Sequence, residues 1–412
     1  MEQPDRRAAR AAMVGGRVLV ALVSAAALVA AGVAWTRLSQ LSDSVNTTDA
    51  LAEVEHQSPV GAQPKKDDGA EDLLLVGSDT RTDMQGRPLS AQQLRELRTE
   101  ASAGLNTDTI ILIRIPHGGG KSYAISIPRD TYVSIPGRAP DKINSVYGVR
   151  KYAAEQELRR SGATDRAVIE KKSAQAGQAA LVETVQNLTG VHVDHYAEIS
   201  LYGFYLLTEA VGGVEVCLNH ATVDPDSGAN FAGGVQTVSG SDAVAFVRQR
   251  KNLPRGDLDR IVRQQTFLAS AMRKMLSAGT LTSSSKLNAL AEAVNKSVVT
   301  DGGLKLIDLV EQAQSLASGN VGFVTIPVTS GNAHNSRGQS IVSVSVPAVR
   351  AYVAGLVGQK ASPSAPMTTP TDVSDGPPPP KPTTTTTGNG LAGGHLLALD
   401  AALNAAAPRC VD

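Results

Sequence analysis

Short apolar runs alternate with stretches of helical period through most of the chain. Strands are predicted where Val, Ile and Leu gather over five to seven residues, at 72–77, 109–115, 122–127, 193–199, 214–218 and 321–326. Such side chains suit a pleated, half-buried surface. Helices are predicted where apolar residues return every three or four positions, at 90–103, 143–160, 165–188, 201–211, 257–277, 286–295 and 304–317. This interleaving predicts an α/β protein, a three-layer α/β/α sandwich with a mixed central sheet. A single folded domain over 71–357 is expected to hold all of it.

The flanks have a different pattern. Residues 18–36 are nineteen uncharged, mostly Ala, Val and Leu positions bounded by Arg17 and Arg37. At about 1.5 Å per residue they match a hydrocarbon core of about 30 Å, so one N-terminal transmembrane helix is predicted. Arg6, Arg7, Arg10 and Arg17 outnumber Glu2 and Asp5 in 1–17. That bias keeps 1–17 cytoplasmic and puts everything after Arg37 outside the cell membrane. Gly32-Val33-Ala34 also resembles a signal-peptide cleavage site, although the apolar run exceeds the usual h-region of about 7–15 residues. Residues 37–70 are polar and aperiodic and read as an extracellular stalk, with the folded part starting at Glu71. Residues 361–390 hold eight Pro and eight Thr, so 358–412 is expected to be a disordered low-complexity tail.

Composition narrows the function by exclusion. Lys and Arg number 39, as do Asp and Glu, and aromatics are 3% of the 412 residues, which excludes a protein that coats nucleic acid. Two cysteines, Cys217 and Cys410, exclude a disulfide scaffold and a Cys-rich zinc module. On an oxidising side of the membrane they form either a bridge to the tail or a free buried thiol at Cys217. No H-E-x-x-H spacing occurs, and nothing in the chain sets an oligomeric state.

Charge is concentrated locally. Residues 248–263 carry six basic side chains (Arg248, Arg250, Lys251, Arg255, Arg260, Arg263) against Asp257 and Asp259. Pro254 and Gly256 interrupt any helix there, and Asp257 or Asp259 can cap a new one. On that helix Arg260, Arg263, Gln264 and Phe267 share a face. Arg248 and Arg250 lie on one side only if the chain is extended between them. Guanidinium forks suit phosphate oxygens, so the segment is either a polyphosphate cradle or a basic loop paired with its own aspartates. Asp79 and Asp108 each end or begin an apolar strand. They suit a hard cation such as Mg²⁺, which takes one or two carboxylates and completes its shell with waters and phosphates, if the strands are neighbours. Otherwise each is a turn or cap residue. Arg129 and Asp130 follow a third strand, either as part of the same cleft or as a buried pair.

Several strings together carry a resemblance. Leu75-Val76-Gly77-Ser78-Asp79-Thr80-Arg81, Asn106-Thr107-Asp108-Thr109 and Ser126-Ile127-Pro128-Arg129-Asp130-Thr131 are followed by Asp141-Lys142-Ile143-Asn144. Val247-Arg248-Gln249-Arg250 then runs through Pro254-Arg255-Gly256-Asp257 to Arg263-Gln264. The set resembles the LytR-CpsA-Psr family over roughly 71–278, more weakly to about 357. The resemblance implies a membrane-anchored, extracellular phosphotransferase of Gram-positive or actinobacterial envelopes. Such an enzyme moves a glycopolymer from a polyprenyl-pyrophosphate carrier to peptidoglycan, at the 6-hydroxyl of N-acetylmuramic acid. It also implies an α/β/α fold with a hydrophobic pocket for the prenyl chain, and Mg²⁺ or Mn²⁺ on Asp79 and Asp108. Arg129, Arg248, Arg250, Arg260 and Gln264 correspond to pyrophosphate-binding positions, and Arg81, Lys142 and Asp257 to further charged positions of that site. Asp257 and Asp130 are the candidates for a general base. A pyrophosphatase using water at the same site is the competing function. A DNA-binding regulator is disfavoured by the expected export and the absence of a recognition motif. Residues 82–105 read as an insertion between the two aspartate motifs.

Overall fold

The computed structural model describes residues 46–57, 63–83, 87–99, 105–276, 284–304, 321–356 and 409–412. The predicted membrane helix at 18–36, most of the helix at 304–317 and tail residues 357–408 lie outside the described residues. Among those described, no helix is long and apolar enough to cross a membrane.

The framework is a sheet built on β2 (Ala70–Ser78) and β3 (Thr107–Pro116), which run antiparallel with Leu74 opposite Leu112. Next to β3 lie β4 (Ser122–Ser126), antiparallel, and then β13 (Val321–Thr325), parallel to β4. On the other side of β2 come β7 (His195–Ser200), parallel, and β12 (Val298–Asp301), antiparallel to β7. The sheet is therefore mixed. On β3, Ile110 and Leu112 join one apolar cluster while Ile111 and Ile113 join another. Successive strand side chains point to opposite faces, so a run that is apolar at every position must be covered on both.

The first face is covered by α3 (Ile143–Arg160) and α4 (Arg166–Thr189). Asp165 starts α4 by accepting from the N–H groups of Ala167 (2.8 Å) and Val168 (3.1 Å). Gly190 ends it at φ 77°. Leu181, Val182, Val185 and Leu188 then pack onto Leu74, Val76 and Leu112. A Cβ at Gly177 would sit 2.7 Å from the Tyr147 carbonyl oxygen, so glycine is what lets α3 and α4 approach so closely. The second face is covered by α7 (Asp257–Leu276), through Leu268, Ala269 and Met272.

Two expectations about the flanks need correction. Residues 46–57 are not stalk: Asn46–Thr48 forms β1, parallel to β12 at the sheet edge, and Ala50–Gln57 forms α1. Ala50 and Val54, one turn apart, are buried in the first core. Two small apolar residues in a polar stretch are too weak a periodic signal to stand out, although together they close a helix onto the sheet. The far end of the tail is not loose either. Cys410–Val411 forms β16, parallel to β8 (Val214–Leu218), and Cys410 is disulfide-bonded to Cys217. The bridged reading of the two cysteines therefore holds. The helix expected at 90–103 shortens to α2 (Ala91–Glu96), capped by Ser90, whose Oγ accepts from the Gln93 N–H at 3.2 Å.

Candidate active site

The site forms where β2 ends and β3 begins. Gly77 pairs with Thr109 but Ser78 pairs with Thr107, so Asp108 is an extra residue with no partner opposite. Such a bulge re-aims the side chain it carries. A Cβ at Gly77 would come 3.0 Å from Thr109 Cβ, so a larger residue there would crowd the bulge. Asp79 follows directly, its N–H donating to the Asn106 carbonyl at 2.9 Å. The two aspartates thus meet at the end of neighbouring strands, and both line a cavity of about 1080 Å³.

Arginines surround them. Arg129 sits in the loop after β4, where its carbonyl accepts the Asn144 N–H at the start of α3. Its Nη1 donates to Asp108 Oδ2 at 2.9 Å, and its Nε lies 3.3 Å from Asp257 Oδ1 and 3.6 Å from Asp130 Oδ2. Arg260, one turn into α7, places Nη2 2.7 Å from Asp257 Oδ1 and Nη1 4.0 Å from Asp108 Oδ2. These charges are near but poorly aligned as hydrogen bonds: Arg129 Nε and Arg260 Nε and Nη2 are buried without an acceptor. Donors in that condition are costly unless another acceptor arrives.

Helix α6 (Gly240–Arg248) ends at Arg248, and Gln249 is extended (φ −54°, ψ 134°), so Arg248 and Arg250 both reach the cavity. Neither has an ion-pair partner among the described residues. Arg248 Nη1 donates to the Leu97 carbonyl at 3.4 Å, a contact supplied by the insertion after β2. The N–H groups of Arg250 and Lys251 donate to Asp224 Oδ2 at 3.1 and 3.2 Å. Asp224 and the Leu97 carbonyl were not singled out in the sequence; Asp224-Pro225-Asp226-Ser227 signals a turn, but nothing local points it at residues 250 and 251.

The remaining candidates divide. Gln264 lines the cavity and donates to the Val247 carbonyl at 3.2 Å. Lys142 lines it too, 2.9 Å from Asp130 Oδ1. Arg81 does not face the cavity; it grips Asp79 through both guanidinium nitrogens from behind, with Nη2 to Oδ2 at 3.1 Å. In this structure it contacts Asp79 and is not among the residues that line the cavity. Arg263 also turns away, because its 100° step along the helix takes it off the side held by Arg260 and Gln264. Arg255 pairs with Asp259 across one turn, so the self-paired reading of the basic segment is right for that residue.

Electrostatics separate the two aspartates. Burial alone would raise Asp108, but Arg129, Arg260 and Arg250 outweigh it and hold the carboxyl below its usual range. Burial pushes Asp79 upward past the pull of Arg81 and Arg248, and nearby Asp108 adds to the rise. Burial likewise lowers Arg260 to about 10, despite Asp257. Asp108 Oδ1 is buried with no hydrogen-bond partner. Two carboxylates that repel each other, one with an orphaned oxygen, fit a hard divalent cation that takes phosphate oxygens for its other ligands. No group of three or more His, Cys, Asp or Glu among the described residues is arranged to hold a metal unaided.

Beyond the charges the cavity turns apolar. α5 (Leu201–Ala210) starts directly after β7, and Ser200 caps it by accepting the Gly203 N–H at 3.1 Å. Phe204, Leu207, Val211 and Val214 line one wall, with Phe267, Ala271 and Met275 from α7 on another.

A family model for the LytR_cpsA_psr family matches residues 35–352. The chain belongs to that family. The cell wall biosynthesis protein LcpA of Corynebacterium glutamicum is 51% identical over 292 residues, which is 71% of this chain and 56% of LcpA. The polyisoprenyl-teichoic acid–peptidoglycan teichoic acid transferase TagU of Oceanobacillus iheyensis is 32% identical over 236 residues, 57% of this chain and 60% of TagU. The chain thus spans little more than half the length of these two relatives. A Streptococcus agalactiae crystal structure superposes with a TM-score of 0.53 at 22% identity, covering 77% of this chain and 94% of that one, and shares the fold. The family match begins at residue 35, in accord with a folded part that starts before Glu71.

Proposed function

We propose that this LytR-CpsA-Psr protein is a phosphotransferase that moves a glycopolymer from a polyprenyl-pyrophosphate carrier to peptidoglycan outside the cell. One observation carries the reading: a single cavity has guanidinium groups and paired carboxylates at one end and an apolar wall of Leu, Val, Phe and Met at the other. That shape matches a diphosphate joined to an isoprenoid. TagU of Oceanobacillus iheyensis is named for the same class of transfer.

In this reading Arg248 and Arg250, free of ion-pair partners, bind the diphosphate oxygens, and Arg129 and Arg260 turn their unaligned N–H donors toward charge that grows as the bond breaks. Donors fixed in advance around developing charge lower a barrier more than donors that must reorganise. Asp79 and Asp108 hold Mg²⁺ or Mn²⁺, which when bound neutralises phosphate oxygens. The acceptor hydroxyl forms the new P–O bond as the bond to polyprenyl phosphate breaks, and its proton passes to Asp130 or Asp257, two further carboxylates that line the cavity. The 6-hydroxyl of N-acetylmuramic acid is the expected acceptor. Residues 18–36 serve as the membrane anchor and 71–357 as the body of the catalytic unit, with 46–57 and 409–412 built into it. A Cys217–Cys410 disulfide is consistent with an exported domain.

The test is incubation of the purified full chain with a lipid-linked oligosaccharide and peptidoglycan fragments. A new glycan–peptidoglycan phosphodiester that is lost in Arg129→Ala supports the reading. Unattached glycan phosphate as the sole product identifies a pyrophosphatase instead.

A further inference from the structure

Arg263 is a large charged side chain that faces away from the cavity and is almost entirely buried, at 1% exposure. A cation in that position must be held by several partners or it destabilises the fold. Its Nη1 donates to Gln249 Oε1 at 2.7 Å, its Nε donates to the Asp412 carbonyl at 2.5 Å, and its guanidinium lies 5.1 Å from the Phe246 ring centre. One side chain on α7 thereby touches α6, the segment that follows it, and the strand that returns from the tail.

Gln249 gives these contacts their meaning. It lies between Arg248 and Arg250 and is fully buried. Its Nε2 donates to Thr222 Oγ1 at 2.5 Å and to the Lys251 carbonyl at 3.1 Å. The side chain between the two cavity arginines is therefore locked inward, so that its neighbours in an extended segment point the other way. The lock depends on Arg263, which supplies the donor to Gln249 Oε1. Arg263 is in turn supported by residues 409–412. Val411 is buried among Val214, Val216 and Phe246, its carbonyl accepts the Asn219 N–H at 2.8 Å, and Cys410 is bonded to Cys217.

We propose that Arg263 is a positioning residue for the diphosphate site: through Gln249 it fixes Arg248 and Arg250 relative to Arg260, with the 409–412 strand as its outer support. This rests on the reading of the cavity as a prenyl-diphosphate site. Arg263 touches no reacting atom; it sets the spacing between guanidinium groups carried by two separate elements.

The experiment uses the full chain in detergent with two probes, farnesyl diphosphate and farnesol, alongside amide hydrogen exchange over 247–253. Arg263→Ala is expected to weaken farnesyl diphosphate binding about tenfold or more, the scale on which small misplacements of positioned groups act. Farnesol binding should be unchanged, because the apolar wall does not depend on the lock. Exchange at 249–251 should accelerate. Arg263→Lys, which keeps a donor, should recover part of the diphosphate affinity. Cys410→Ser, which loosens only the outer support, should move both readouts in the same sense by less, and it serves as the test should Arg263→Ala fail to fold. Equal loss of both probes would mean general unfolding and overturn the proposal, as would unchanged binding with unchanged exchange. Wild-type protein that binds farnesol as tightly as farnesyl diphosphate overturns the cavity reading instead, and the exchange data then decide the lock independently.

Discussion

The two ends of the β2–β3 pair both bury arginine beside aspartate, yet only one of them borders the cavity. At one end Arg114 lies directly across from Asp72, fully buried; its Nη2 donates to Asp68, while its Nη1 stays 3.7 Å from Asp72 Oδ2 and, like Nε, has no hydrogen-bond acceptor. Beside it His195 bridges Glu71 (3.1 Å) and Asp301 (3.2 Å). Regular pairing persists up to that end, and none of these residues lines the cavity. At the other end a bulge throws Asp108 out of register, and the arginines face a cavity with donors that have no acceptor. Both ends keep buried donors without acceptors and nearly the same residue types, so the difference lies in strand register and in access to the cavity.

That contrast can be broken or sharpened by experiment. Arg114→Ala should cost about 3–5 kcal/mol of stability in denaturant unfolding, because it strands buried carboxylates, while transfer per folded molecule stays normal. Arg250→Ala should do the reverse. Its exposed side chain contributes little to stability, but transfer should fall by about 10–10², the scale of losing a hydrogen bond to a charged group. Equal effects of the two substitutions on transfer would erase the distinction. Breaking the disulfide by Cys410→Ser should cost about 2–4 kcal/mol, since it releases a loop closed across a sequence separation of 193. The smallest effect concerns pH. The hydrogen bond and charge of Asp301 raise the His195 pKa above 6.5 in the folded protein, against the opposing effect of burial. A raised pKa means the protonated form is favoured in the fold, so its stabilisation is complete below about pH 6.5 and fades as pH rises through the higher folded value. His195→Gln should flatten that part of the stability profile, and an unchanged profile would show the pair to be inert.

Parts of the molecule were legible from local pattern alone. Residues 143–160 and 214–218 coincide with α3 and β8 because long periodic or β-branched runs make one local answer much better than the alternatives. The residues singled out by their chemistry are ones the fold brings together, since Asp79, Asp108, Arg129, Arg248, Arg250, Arg260, Lys142, Asp257 and Gln264 all line one cavity. Their roles were less legible. Arg81 and Arg263 belong to the same strings, but one backs Asp79 and the other locks Gln249. The short strand pairs are too brief to carry a period, and the helix Val346–Leu356, which buries Val349 and Val353 in the first core, was not among the predicted elements.

The amino-acid order by itself determined the alternation of strand and helix, the apolar run at 18–36, and which side chains were chemically suited to a diphosphate and a hard cation. Those are properties of single residues and their immediate neighbours. Tertiary structure alone decided that 46–57 joins the sheet and that Cys410 returns across a sequence separation of 193 to Cys217. It also decided that a bulge aims Asp108, and that of three arginines on and around one helix turn, two point into the cavity or its rim and one into the core. Each of those depends on what packs opposite, across distances in sequence over which composition and periodicity carry no information.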